Sequence, residues 1–177
     1  MDEVLFHRLY DQFHQDVFQF LIYLVKDRHV AEDLSHEVYV RAIKSYAQFQ
    51  HQSSEKTWLF AIAKNVSIDY FRKQAVRNKR AITNFDWESE KLLSLEASPE
   101  QQIVQSEQLG AIYSLLDECT GDQKMVVVLR YIQQLSIQET AEILQWSESK
   151  VKTTQHRAIH KLRVLMENKV ERGNEYV

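Results

Sequence analysis

Ser149, Lys152, Thr153, His156, Arg157 and His160 recur at spacings of three and four, which sets them along one face of a helix. Lysine, arginine and threonine on such a face can meet base edges and thymine methyl groups in a DNA major groove. Lys150 and Lys161 flank the stripe and suit phosphate oxygens. A second chemical group lies upstream. Between residues 56 and 80, seven basic side chains stand against one acidic one, and Trp58, Phe60, Tyr70 and Phe71 are interleaved with them. Cations for phosphates beside rings for an extruded base are what separating two nucleic-acid strands requires. His156 and His160 have the spacing of metal ligands but lack a third ligand nearby, so no metal site is assigned. Neither a nucleophile–base pair nor a compact carboxylate constellation is identifiable. The chain is therefore expected not to be an enzyme, to need no cofactor and to take no small-molecule substrate, and a nuclease reading is set aside.

Both groups need helices to hold them. Ser136 is placed to cap a short helix in which Ile137, Thr140, Ala141 and Leu144 share a face, and the small Ala141 permits close approach by a neighbour. After Gln145-Trp146, Ser147 caps a second helix whose buried stripe is Val151, Ala158, Leu162 and Leu165. Two short helices joined by about three residues, with donors on the outer face of the second, describe a helix-turn-helix. A plain helical hairpin has the same apolar pattern.

The rest of the chain is also helical in period. Leu5, Leu9, Phe13, Val17, Phe20, Leu21 and Leu24 define a first amphipathic helix. A second begins near the cap Asp27, with Ala31, Leu34, Val38 and Ala42 inward and Glu32, Asp33, His36, Glu37 and Arg41 on the other face. A third runs from about Ser54 to Arg80 with Trp58, Leu59, Ile62, Val66 and Tyr70 as its apolar side; its length predicts a break, placed at Asn65 and Ser67. Residues 81–98 lose the pattern and are acidic, which reads as an extended linker. Helix restarts at Ser98-Pro99-Glu100-Gln101, and Thr120 to Gln123 repeats the capping signal.

Composition narrows the class. The 177 residues are 44% hydrophobic and 27% charged, enough to bury a core, and three glycines with one proline are too few for the turns of a sandwich or barrel. The longest apolar candidate, Val17 to Val25, is interrupted by Gln19 and is too short for a membrane span. Met1-Asp2-Glu3 lacks the basic start of an export signal, so a cytoplasmic location is expected. The single Cys119 excludes an internal disulfide. A net charge of −3 conceals two basic islands, 56–80 and 148–177, separated by an acidic stretch, which suits two separate contacts with a polyanion.

Three ordered segments now acquire a common meaning. Ala31-Glu32-Asp33-Leu34-Ser35-His36-Glu37-Val38-Tyr39-Val40-Arg41-Ala42 resembles the AEDL-x-QE-x-(F/Y)-x-RA signature of bacterial extracytoplasmic-function sigma factors. Lys56 to Asn65 followed by Asp69-Tyr70-Phe71-Arg72 resembles the family's TWL-x-x-IA-x-N-x-x-x-D-x-x-R segment. Ser147-Glu148, Val151-Lys152 and His156-Arg157-Ala158 resemble its third signature, and within the family the chain resembles the sigma-X type.

The resemblance implies an all-α chain of two small helical domains: 1–80, which would bind core RNA polymerase and the −10 promoter element, and 99–177, which would bind the −35 element and the polymerase flap, with 81–98 as linker. It implies that Asp33, Leu34, His36, Glu37, Tyr39 and Arg41 dock on the polymerase clamp helices. It implies a base-capturing loop at Ala63, Lys64, Asn65, Val66 and Ser67, with Lys64, Arg72, Lys73, Arg77, Lys79 and Arg80 on phosphates. For the −35 element it implies Ser149, Lys150, Lys152, Thr153, His156, Arg157 and Lys161. A membrane-anchored anti-sigma factor is the implied regulator.

Several positions depart from the pattern. His36 stands where the signature has glutamine, Gln145 where many such turns have glycine, and Thr154 and Gln155 differ from the usual residues of the recognition helix. Two alternatives stay open on the residues alone. Trp58 serves as core or as stacking platform, and the acidic linker as nucleic-acid mimic or solvated tether. An autonomous DNA-binding regulator would share the helix-turn-helix but has no use for the mixed-charge docking helix.

Overall fold

A computed structural model describes residues 2–78 and 107–174. The linker 81–98, the cap at Ser98, and Lys79 and Arg80 lie outside the described residues. The first half comprises α1 (Asp2–Val25), α2 (Arg28–Ser45), a single 3₁₀ turn at Tyr46–Gln48, and α3 (Glu55–Arg77). The second comprises α4 (Glu107–Asp117), α5 (Gly121–Val127) running into a π-helical turn at Val128–Ile132, α6 (Ile137–Leu144) and α7 (Glu148–Asn174).

Caps set the element starts. Asp27 accepts from the Val30 amide to begin α2, and Ser54 from the Thr57 amide to begin α3. Thr120–Gln123 and Ser136–Glu139 are reciprocal capping boxes at the starts of α5 and α6. The Ser147 hydroxyl accepts from the Lys150 amide at the start of α7. Leu9, Val17, Phe20, Leu21, Val38, Leu59 and Phe60 close the core of the first half, each fully buried side chain contributing about 1.5–3 kcal/mol.

The predicted break in α3 is absent. Ser67 is buried, and its hydroxyl donates to the Lys64 carbonyl 2.7 Å away, so a residue that often leaves the helix is satisfied inside it. Packing does the rest: α1, α2 and α6 all lie against α3. That last contact joins the two halves. Gln133 donates to the Asp16 carbonyl at 3.3 Å and to Gln19 Oε1 at 3.0 Å, Tyr23 and Tyr113 meet with centroids 5.2 Å apart, and Lys26 pairs with Asp117. The sequence predicts separate tethered modules; here they share an interface.

Candidate nucleic-acid interface

The recognition stripe is built on a helix-turn-helix whose corner is fixed by backbone geometry. Gln145 is left-handed, with φ 57° and ψ 42°. Its amide donates to the Glu142 carbonyl at 3.3 Å and the Trp146 amide to that of Ala141 at 3.0 Å, the two bonds of a Schellman ending. A glutamine there carries a steric penalty that glycine would not. Buried Val151 and Ala158 seat α7 on the module, while Ser149, Lys152, Thr153, His156, Arg157 and His160 are all exposed on its outer side. Lys150 lies 4.1 Å above the Trp146 ring, and Lys161 is half-buried. Sequence reasoning missed Arg130, which donates to Gln155 Oε1 at 2.8 Å and to the Leu135 carbonyl, bracing α7 against the π-helical turn. Gln155 is thus occupied within the fold.

The α3 surface differs from expectation. Ala63, Lys64, Val66 and Ser67 are buried, so they form no loop and offer no base pocket; only Asn65 of that group is exposed. Lys64 keeps 8% of its surface exposed, and burial pushes its ammonium pKa down. Arg72, Lys73 and Arg77 are exposed. Trp58, Asn65 and Arg72 stand at seven-residue steps and share a side of α3.

At its N-terminal end that side meets the segment 49–54, an irregular stretch between the 3₁₀ turn and α3. Phe49 stacks on Trp58, with centroids 4.7 Å apart and planes 25° from parallel, and His51 lies 4.5 Å from Phe49 with its backbone left-handed at φ 53°. Tyr46 closes the group edge-on to Trp58 at 5.7 Å. Trp58 is therefore neither wholly core nor wholly platform but the half-buried floor of an aromatic cluster. The available signal was the run of rings at Tyr46, Phe49 and His51 just before the Ser54 cap.

On α2, Asp33 and His36 are exposed, Glu37 is half-buried and Leu34 is partly covered. Tyr39 corrects the docking set: it is 1% exposed, packed among Phe6, Tyr10 and His14, so it supports the helix from beneath. Burial raises its phenol pKa. Arg41 donates to Glu37 at 2.7 Å and to Asp69 of α3 at 3.0 Å, which ties α2, the candidate docking helix, to α3, the −10 candidate.

Among the described residues, no three His, Cys, Asp or Glu side chains group to hold a metal ion, and no helix is long and apolar enough to cross a membrane.

Comparison with known proteins fits this division. The Sigma-70 region 2 family model matches residues 9–77 and the Sigma-70 region 4 model residues 115–164. The chain is 51% identical to the ECF RNA polymerase sigma factor SigX of Bacillus subtilis, over 93% of this chain and 85% of the relative. It is 31% identical to SigM of the same organism, over 89% and 92%. Two solved structures share the fold at a TM-score of 0.69. CnrH bound to the cytosolic domain of CnrY is 20% identical, over 94% of this chain and 90% of that one. RpoE of Bartonella quintana bound to the anti-sigma factor NepR is 21% identical, over 92% and 96%. The chain thus belongs to the extracytoplasmic-function RNA polymerase sigma factors and acts as an alternative sigma factor that directs transcription initiation.

Proposed function

We propose that the outer face of α7 reads the −35 element, with Arg157 and Lys152 as the principal base contacts, Ser149, Thr153 and His156 beside them, and Lys150 and Lys161 on phosphates. The observation that carries this is the exposure of every polar residue of the stripe while Val151 and Ala158 are buried beneath it. The −10 element is held by the exposed side of α3: Asn65 offers a donor and an acceptor to a base edge, Arg72, Lys73 and Arg77 neutralise phosphates, and the rings of Phe49, His51 and Trp58 receive an unstacked base. Base capture accordingly moves from the Ala63–Ser67 segment to the exposed cluster.

Asp33, His36, Glu37 and Arg41 form the clamp-docking face of core polymerase, and the second module also meets the flap. Residues 1–80 and 99–177 are the two functional modules. The protein works in the cytoplasm and is restrained by a membrane-anchored anti-sigma factor; in support of an anti-sigma partner, one structure that shares its fold is the sigma factor RpoE bound to the anti-sigma factor NepR.

The test is a titration of holoenzyme against promoter fragments carrying each −35 base pair in turn. Arg157→Ala should lose about 1–3 kcal/mol at one base pair and leave the others unchanged, as a bidentate arginine–guanine contact requires. Equal loss on all fragments would make Arg157 a phosphate contact and remove it from the base-reading set.

A further inference from the structure

The aromatic cluster does not stand alone. Beneath it, Arg8 of α1 forms a two-pronged contact with Glu55, the first residue of α3: Nη1 to Oε2 at 2.7 Å and Nη2 to Oε1 at 2.8 Å. The Tyr46 hydroxyl donates to the same Oε1 at 2.6 Å, and Arg8 Nη2 donates to the Tyr46 oxygen at 3.0 Å. Three elements, α1, the 3₁₀ turn and the start of α3, thus converge on one carboxylate. The Arg8 hydrogen bonds hold that carboxyl well below the usual range, at about 2, so it stays ionised. An exposed ion pair between two long side chains contributes little to stability. A planar, two-pronged arginine that also orients a tyrosine is a geometric device, because it fixes directions as well as distance. Tyr46 is the wall of the cluster, within 6.0 Å of Phe49 and 6.1 Å of His51.

We propose that Arg8, Glu55 and Tyr46 are positioning residues for promoter opening: their shared hydrogen-bond network presets the Phe49–His51–Trp58 rings as the seat for an unpaired base of the −10 strand. None of the three need touch DNA. The seat must exist before the base leaves the duplex, since a stacking partner that first has to be ordered lowers the gain from capture. The inference rests on the reading that this cluster meets the −10 strand.

The test uses full-length protein with core polymerase on a promoter fragment that the wild-type holoenzyme transcribes, chosen from genomic DNA. Permanganate reactivity of −10 thymines reports opening, 2-aminopurine placed along the non-template −10 strand reports stacking, and fluorescence anisotropy reports affinity for core. Glu55→Gln should slow opening at least tenfold and abolish the single stacked-base quench, with core affinity and closed-complex affinity within twofold of wild type. Arg8→Lys, which keeps the charge without the fork, should fall between. Tyr46→Phe, which removes only a hydroxyl and leaves the ring, should reproduce most of the Glu55→Gln defect even if that variant folds poorly. Opening within twofold of wild type for a folded Glu55→Gln and for Tyr46→Phe would overturn the positioning role. Phe49→Leu separates the two levels. If it loses opening while the network variants do not, the seat stands and the network is dispensable; if it too opens normally, the −10 assignment of the cluster fails, and the positioning role fails with it.

Discussion

The two basic helices present their cationic residues in opposite ways. In α7 the cationic stripe lies wholly on the outer surface, seated by two small buried residues, Val151 and Ala158, and backed by one brace from Arg130. In α3 the proposed functional surface is composite: neighbours bury one side of the helix, Lys64 is withdrawn from solvent, and Phe49 and His51, two rings of the cluster around Trp58, come from a different segment of chain. If the proposed assignments hold, the difference teaches that reading duplex needs one exposed helix face, whereas receiving an unpaired base needs a site assembled from several elements. The first can be substituted residue by residue with local consequences. The second is coupled to the core.

That contrast can be broken most forcefully at Phe60, fully buried on α3 against Phe20 with centroids 5.3 Å apart. Phe60→Ala should cost about 3–5 kcal/mol in urea unfolding. Arg157→Ala should cost less than about 0.5 kcal/mol in the same measurement, because its side chain is exposed. If the two had equal effects on stability, the division into an embedded and a presented helix would be wrong.

The interface between the halves gives the next effect. Lys124 is 1% exposed, and Lys26 and Lys124 are both pushed down to about 8, first by burial. Asp117 is the carboxylate between them, paired with Lys26 and 3.6 Å from Lys124. Asp117→Asn should destabilise by roughly 1–3 kcal/mol, less than a fully buried pair because Asp117 is partly solvated. The sign of the pH dependence follows from the lysines. Their depressed values mean that the unfolded chain binds more protons than the folded one between about pH 8 and 10.5, so their contribution to stability improves as pH rises through that window. Chemical denaturation at pH 7 and pH 9.5 checks both statements, and a Lys124→Met variant should flatten the trend.

Smaller effects sharpen the helix-turn-helix side. Ser136→Ala removes one half of the α6 capping box and should cost about 1 kcal/mol. Gln145→Gly relieves the left-handed corner and should raise stability by up to about 1 kcal/mol while leaving promoter affinity unchanged. Thermal unfolding with a parallel binding titration would reveal either result.

Local signals were legible and non-local ones were not. Asp27, Ser54, Thr120, Ser136 and Ser147 mark helix starts because a cap acts within three residues of itself. The polar stripe on α7 is legible for the same reason: periodicity is a local property. The break expected at Asn65 and Ser67 is overruled because α1, α2 and α6 pack against α3 and bury Ser67 while Asn65 stays exposed, an arrangement no window of sequence contains. Tyr39 misled because a ring in a surface-facing signature can point beneath the helix; its partners Phe6, Tyr10 and His14 are far upstream. Gln133 reaching Asp16 and Gln19 joins residues more than a hundred positions apart, so the interface between the halves had no sequence signal. The aromatic cluster lay in between: its rings were visible, and the stacking that unites them was not.

A photo-reactive amino acid placed singly at Lys152 and at Asn65, in holoenzyme on a promoter it opens, tests the division of labour most directly. The account predicts that the Lys152 probe crosslinks to duplex around the −35 element and the Asn65 probe to the non-template strand of the −10 element. Adducts at the same element from both positions, or none at −10 from Asn65 while the promoter is open, would contradict it.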